Sequence, residues 1–335
     1  MIASDLPLID LHHHLDGSVR LQTILEVGLQ YNLPLPARTL EGLQPYVQVS
    51  VPKPGVMAFI EKFEWMTGIL VNAEICRRVA FEVVEDAAAE GLDYLELRYS
   101  PWFMAQAHGL NPRGVIEAVS DGLRDAERTF KIKVNQLGIL SRHYGPEIAW
   151  KELDCLLAFK DEFVGLDLAG DEANFPGTLF VEHFKKARDA GWHITAHAGE
   201  AAGPESIWQA IDGLGAERIG HAVHAPEDGV LMEALKERRI GIECNLTSNV
   251  QTSTVADYAT HPLKQFLEAG LLATINTDDP GISAIDLRYE YNVAAPRAGL
   301  TEALMRQAQQ NALDTAFLSV AEKKVLQMKK SHPAG

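Results

Sequence analysis

The 335-residue sequence predicts an α/β fold, a single (β/α)8 barrel with extra helices. Three observations point there. Eight short apolar runs alternate with helix-spaced segments almost to the end of the chain. His12, His14, Asp167, His197, Glu200, His221 and Asp278 fall at or just beyond the C-terminal ends of those runs, which converge on one mouth in a barrel. The 47% hydrophobic content supplies one large core.

The first strand is the apolar run Leu6 to Leu11, ending in His12-His13-His14. Residues 20–31 carry apolar groups at helical spacing, and Pro34 and Pro36 end that helix. The stretch 37–72 reads as a helical lid insertion. Its first part is punctuated by Pro45, Pro52, Pro54 and Gly55, and 56–70 is dense in Phe, Trp and Met. An ordinary core helix fits that dense segment about as well. Asn72 caps a helix over 73–89 that Gly91 ends. The second strand is 92–99, followed by a helix from Pro112 to about 129. Strands at 132–140, 163–168, 193–200, 218–223, 240–245 and 271–277 complete the eight. The helices between them are expected near 147–160, 178–190, 204–213, 227–237 and 262–270. Two C-terminal helices occupy about 302–330.

Asp and Glu outnumber Lys and Arg by 46 to 30, a formal charge of −16. That balance argues against binding a nucleic-acid backbone or an anionic membrane surface. No run reaches the roughly 18 apolar residues of a membrane span. Cys76, Cys155 and Cys244 form no CxxC pair, and no signal peptide is evident, so a reducing cytoplasm is expected.

The chemistry is carried by three motifs. Leu11-His12-His13-His14-Leu15-Asp16-Gly17 places His12 and His14 on one side of a strand end and His13 on the other. HAGE adds His197 and Glu200, and NTDDP adds Asp278 and Asp279. Zinc takes imidazole nitrogen and carboxylate oxygen, and a catalytic site keeps a position for water. The expected ligands are therefore His12, His14, His197 and Asp278, around one zinc per chain. A bound divalent metal makes water nucleophilic near neutral pH. His221, in IGHAV, is expected to orient that nucleophile, and Asp278 to accept a hydrogen bond from it. Glu200 is expected to move protons to the substrate and the leaving group. The segment GLDLAGDE contains no lysine to bridge a second metal, and no local cysteine pattern suggests a structural zinc. The fold type is thus that of a metal-dependent hydrolase.

These motifs, with DLAGDE at 167–172, TAHAGEAAGPESIW at 195–208, LTSNVQT at 246–252 and HPLKQFLEAG at 261–270, resemble the adenosine/AMP deaminase family, bacterial branch. The resemblance runs almost end to end. It implies hydrolytic deamination of adenosine and 2′-deoxyadenosine to inosine and deoxyinosine plus ammonia, in purine salvage. It assigns zinc to His12, His14, His197 and Asp278, proton transfer to Glu200 and orientation of the nucleophile to His221. It further implies that Asp16 contacts the ribose hydroxyls, the Gly170 amide meets purine N3 and Asp279 meets N7. Apolar side chains of a lid, Phe59 and Phe63 with Met66, would cover the pocket. Relatives acting on adenine commonly carry glutamate at the position of Asp16, which favours a small purine nucleoside as the partner. Aminodeoxyfutalosine keeps the ribose and is the nearest alternative substrate; a metal-binding barrel without catalysis is the more distant reading. Ala222 departs from the glycine that many relatives carry there.

Overall fold

The computed structural model describes residues 2–49 and 61–331. Eight strands follow the chain: β1 Ile9–His14, β2 Tyr94–Tyr99, β3 Lys133–Ser141, β4 Phe163–Ala169, β5 His193–Ala198, β6 Arg218–His221, β7 Gly241–Cys244 and β8 Leu272–Ile275. Each pairs in parallel with the next, in sequence order. Among the described residues the ring closes through a single bridge, between His13 and Asp278. There the His14 amide donates to the Asp278 carbonyl and the Asp278 amide to the His12 carbonyl, both at 2.8 Å. The expected (β/α)8 barrel is the observed fold.

Among the pairs consecutive in the chain the ladder is thinnest between β4 and β5, where only Gly165 with His193 and Leu166 with Ile194 are in register. Beyond them the strands part, and the buried Arg142 guanidinium spans the opening. It donates to the Leu168 carbonyl at 3.1 Å and the His197 carbonyl at 2.6 Å. Arginine thus supplies donors where the missing ladder would leave buried carbonyls unpaired.

The strands are apolar because helices cover the outside of a parallel barrel and side chains fill its inside. Their C-terminal ends come earlier than the apolar runs suggest. His221 and Asp278 have φ of 69° and 66°, a left-handed turn that stops the ladder and swings their side chains over the mouth. Asn72 caps the helix Ala73–Glu90 through the Ile75 amide, and Gly91 ends it at φ 84°, as the residue types require.

Several elements differ from the sequence expectation. The proline-marked stretch after residue 37 contains a helix, Leu40–Val47, with Pro45 inside it. Pro45 lacks only one amide donor, and Thr39 caps the start by accepting from the Gly42 amide. The helix after Pro204 is α-helical over Pro204–Trp208 and then widens into a π-helix over Gln209–Leu214. Short helices at Pro101–Gln106, Leu246–Gln251 and Pro280–Ser283 follow β2, β7 and β8 at the mouth. They are too brief to show a 3.6-residue period. Within the expected lid stretch a helix spans Phe63–Thr67; Phe59 lies outside the described residues.

The floor of the barrel is closed by the C-terminal segment. Ala312, Leu313, Ala316 and Leu326 pack with Ile9, Leu11 and Tyr94. The Phe317 amide donates to Glu96 at 2.7 Å, and the Arg218 guanidinium lies 3.5 Å from the centre of the Phe317 ring. With the floor sealed, the mouth is where a ligand enters.

Candidate active site

His12, His14, His197, His221 and Asp278 meet at the mouth. Ligand atoms of His12, His197, His221 and Asp278 lie within 4.8 Å of one another. His14 Nε2 lies 3.2 Å from His197 Nε2 and 3.4 Å from Asp278 Oδ1. Distance therefore brings together four imidazoles, one more than the expected ligand set. Their other ring nitrogens separate them.

His12 Nδ1 faces Glu243 Oε2 at 2.8 Å, and His197 Nδ1 faces Asp167 at 3.1 Å. A carboxylate only accepts, so both rings carry their proton on Nδ1 and turn a bare Nε2 inward. For His14 the nearest carboxylate to Nδ1 is Asp16, at 3.7 Å. His12 Nε2 is buried with no hydrogen-bond partner, 3.1 Å from Asp278 Oδ1. The bare nitrogens of His12 and His197 and the Asp278 carboxylate thus converge, with His14 Nε2 beside them, a donor set that fits a divalent cation. His221 is different. Its Nδ1 faces the amide nitrogen of Asn249, a donor, at 2.9 Å; the Asn245 amide nitrogen lies 3.3 Å from Nδ1 and 3.5 Å from Nε2 and does not choose between them. The His221 proton consequently sits on Nε2, which lies 3.7 Å from Glu200 Oε2 and 3.8 Å from Asp278 Oδ2.

Burial dominates the titration of these groups. It lowers His12, with Arg98 adding to the effect, and takes His197 down to about 3. Such imidazoles stay neutral and able to coordinate. Burial also raises the Glu200 carboxyl to about 7, so it holds a proton near neutrality. Asp279 is raised well above the carboxylate range by burial and by the adjoining Asp278 and Asp16. Burial alone would lower His221, but Glu200 and Asp278 outweigh it and hold the ring above its ordinary value. A cation bound to Asp278 works in the opposite sense.

Beside this cluster is a cavity of about 720 Å³ counted to its open mouth, within the size range of small-ligand clefts. Glu200, His221, Asp16, Asp279 and Gly170 line one part, and Phe63, Phe103 and Ile139 supply apolar walls. Phe63 and Phe103 meet edge to face at 5.9 Å. Asp16 Oδ1 and Asp279 Oδ1 are buried there without hydrogen-bond partners. Gly17 and Gly170 permit this geometry. A Cβ on Gly17 would stand 1.7 Å from Asp279 Oδ1, and Gly170 has φ 107° with His143 2.6 Å from where its Cβ would be. Met66 is buried in the main core, and Trp102–Met104 belong to the helix Pro101–Gln106. His13 points away, its Nδ1 3.2 Å from Asp10 and 3.1 Å from Thr277.

The sequence model of adenosine deaminase matches residues 7–330. A protein named adenosine deaminase, from Escherichia coli O1:K1 / APEC, is 58% identical over 329 residues, covering 98% of this chain and 99% of that protein. The chain belongs to the adenosine deaminase family. Among solved structures, adenine deaminase from Arthrobacter aurescens superposes with a TM-score of 0.91 at 24% identity, covering 97% of this chain and 98% of that one. That likeness speaks for the fold. A cog1816 amidohydrolase from Burkholderia ambifaria, determined with bound Zn, gives a TM-score of 0.88 at 25% identity, covering 98% and 90%.

Several residues shaping this adenosine deaminase family site escape motif reading. Glu172 accepts the amides of Gly199, Glu200, Ala201 and Ala202 at 2.6, 3.1, 2.6 and 3.1 Å, and the Ser206 hydroxyl. One carboxylate thereby holds the loop that presents Glu200. Beneath the cluster Arg98 donates to Asp167 at 3.0 Å and Glu243 at 2.8 Å, and Arg218 donates to Glu243 at 2.7 Å and to Glu96. The available signal is period-two charge inside apolar strands: Glu96 and Arg98 in YLELRY, Arg218 in RIGH, Glu243 in GIEC. Charges facing a barrel interior must be paired. Ala222 sits at φ 52°, a conformation that costs a non-glycine residue about 1–2 kcal/mol.

Proposed function

We propose that this chain hydrolyses adenosine, and 2′-deoxyadenosine, to inosine or deoxyinosine and ammonia, as a cytoplasmic enzyme of purine salvage. The observation that carries the proposal is the facing pair Glu200 and His221, 3.7 Å apart beside Asp278 and a cluster of bare imidazole nitrogens. Identity of 58% across 98% of the chain to a protein named adenosine deaminase supports the substrate.

His12, His14, His197 and Asp278 would hold one zinc ion. The ion supplies the acidity that makes water nucleophilic at neutral pH. Asp16 receives the ribose hydroxyls, and the Gly170 amide meets purine N3. Asp279, raised by burial and so protonated, donates to N7. Glu200, raised to about 7, gives its proton to N1 and so draws electron density from C6. Asp278 accepts a hydrogen bond from the attacking water, and His221 donates from Nε2 to its oxygen. As C6 becomes tetrahedral, Glu200 takes the first proton that the water loses and passes it to the amine; the bond from C6 to that nitrogen breaks, ammonia leaves, and the remaining hydroxyl proton returns to Glu200 as the C6 carbonyl forms. Phe63 and Phe103, on the apolar wall of the cavity, exclude bulk water.

Ammonia release from adenosine, deoxyadenosine, adenine and aminodeoxyfutalosine tests the reading. Adenosine or deoxyadenosine should give the highest kcat/KM, with close to one zinc per chain by metal analysis. A higher value for adenine or aminodeoxyfutalosine overturns the substrate, and two required metals overturn the mononuclear site.

A further inference from the structure

Two buried side chains outside the reaction set determine which nitrogen of His221 carries its proton. The chain of contacts starts at a group whose role is unambiguous, the backbone amide of Leu263. It lies at the start of the helix Leu263–Glu268, where no intrahelical acceptor is available, and donates to His261 Nδ1 at 3.1 Å. A nitrogen that accepts carries no proton, so the His261 proton is on Nε2. That nitrogen lies 3.1 Å from Asn249 Oδ1. With its oxygen committed, the Asn249 amide group turns its NH2 to His221 Nδ1 at 2.9 Å. The reversed amide would set the Asn249 NH2 against the His261 Nε2 proton, donor against donor. His221, Asn249 and His261 are all buried, so water does not substitute for a lost partner. The main chain of Asn249 is held as well: its amide donates to the Asn245 carbonyl at 3.0 Å, and its carbonyl accepts from Thr254 at 3.0 Å.

We infer that Asn249 and His261 are positioning residues that lock His221 in the tautomer protonated at Nε2. This explains why the fourth imidazole of the cluster lies within coordination distance of Asp278 yet offers that site a donor. The same relay separates it from His12 and His197, whose outward nitrogens meet carboxylates. The inference rests on the role proposed above for His221. Asn249 and His261 come from LTSNVQT and HPLKQFLEAG, motifs that otherwise have no part in the chemistry.

Nitrogen-15 NMR of histidine-labelled, zinc-loaded protein reads the tautomer directly, with His221 assigned from the His221→Gln spectrum. The expected result is a bare Nδ1 and a protonated Nε2; a proton on Nδ1 overturns the relay. Asn249→Asp keeps the shape but can only accept, so it should move the His221 proton to Nδ1. It should lower kcat on adenosine by on the order of 10²-fold, leaving KM close to wild type. An unchanged kcat and spectrum overturn the inference. Should that variant fail to fold, His261→Gln and His261→Leu decide. Gln retains a donor near Nε2 and should keep the tautomer, whereas Leu should lose it with about 10–100-fold of the activity. Equal spectra and rates for the two overturn the relay. Failure of wild-type protein to release ammonia from adenosine would instead overturn the proposed function, while the nitrogen spectrum would still decide the tautomer.

Discussion

Glu243 Oε2 is shared by His12 Nδ1 and Arg98, both at 2.8 Å, while Glu243 Oε1 takes Arg218 at 2.7 Å and Thr195 at 3.0 Å. Its carboxylate is held well below its usual range; burial opposes ionisation, but Arg98 and Arg218 prevail. His12 is therefore oriented by an anion that two arginines keep ionised. Glu243→Gln keeps the shape and removes the charge, and its amide can turn a donor toward His12 Nδ1. The variant should bind zinc about 10–100-fold more weakly, measured by competition with a chelating dye. Wild-type affinity would show that Glu243 only balances Arg98. The histidines and carboxylates that gather at the mouth are legible in the sequence because histidines at two-residue spacing, joined by HAGE and NTDDP at later strand ends, match the donor set of a metal site. Glu243 is not legible in the same way. A lone glutamate in GIEC shows neither its direction nor the distant Arg98 and His12 that it serves.

Glu200 stands on a loop whose order comes from another loop. Four consecutive amides, Gly199 to Ala202, point at the Glu172 carboxylate. Charge-assisted hydrogen bonds of this kind are the stronger ones. Glu172→Gln has one acceptor oxygen in place of two and presents an NH2 to some of these amides. The expected outcome is normal zinc content, a kcat reduced by about 10–100-fold and faster amide exchange confined to 199–202. Unchanged exchange there would mean that the helix at Pro204 orders the loop by itself. Among the elements, strands and long helices are readable because eight apolar runs and helical periods repeat over many residues. The short helices at the mouth are not, since each is fixed by tertiary contacts such as Glu290 accepting the Thr247 amide at 3.2 Å. Arg142 across the β4–β5 opening belongs with them: no local pattern marks where a barrel ladder stops.

Over the whole molecule, buried acids make stability depend on pH. Burial raises Glu290 to about 8, although the Thr247 amide favours its charged form. The unfolded chain ionises this group near 4.5. Between those values the native state binds the extra proton, so the stabilising contribution is complete below pH 4.5 and is lost as pH rises toward 8. Glu290→Gln keeps an acceptor for Thr247 and removes the proton. Its stability relative to wild type should therefore rise with pH across this window, by at most about 1.4 kcal/mol per pH unit. Urea unfolding at several pH values measures this; parallel pH profiles for the two proteins would exclude the assignment.

Asp278 has one further consequence. Its backbone supplies the bridge that joins β8 to β1, and its side chain stands with His12 and His14 from the other bank of that seam. Strand closure and metal affinity are then two readings of one equilibrium. An ion that binds the closed register and not the parted one shifts the ratio by mass action, about 4 kcal/mol at a thousandfold excess over its dissociation constant. Chelation should accordingly lower Tm and speed exchange at the His14 and Asp278 amides before it affects β2 and β3. Uniform loss of protection around the ring would show that the seam and the ion are uncoupled. In a cell where the free metal ion is scarce, its supply would act as a folding condition for this barrel.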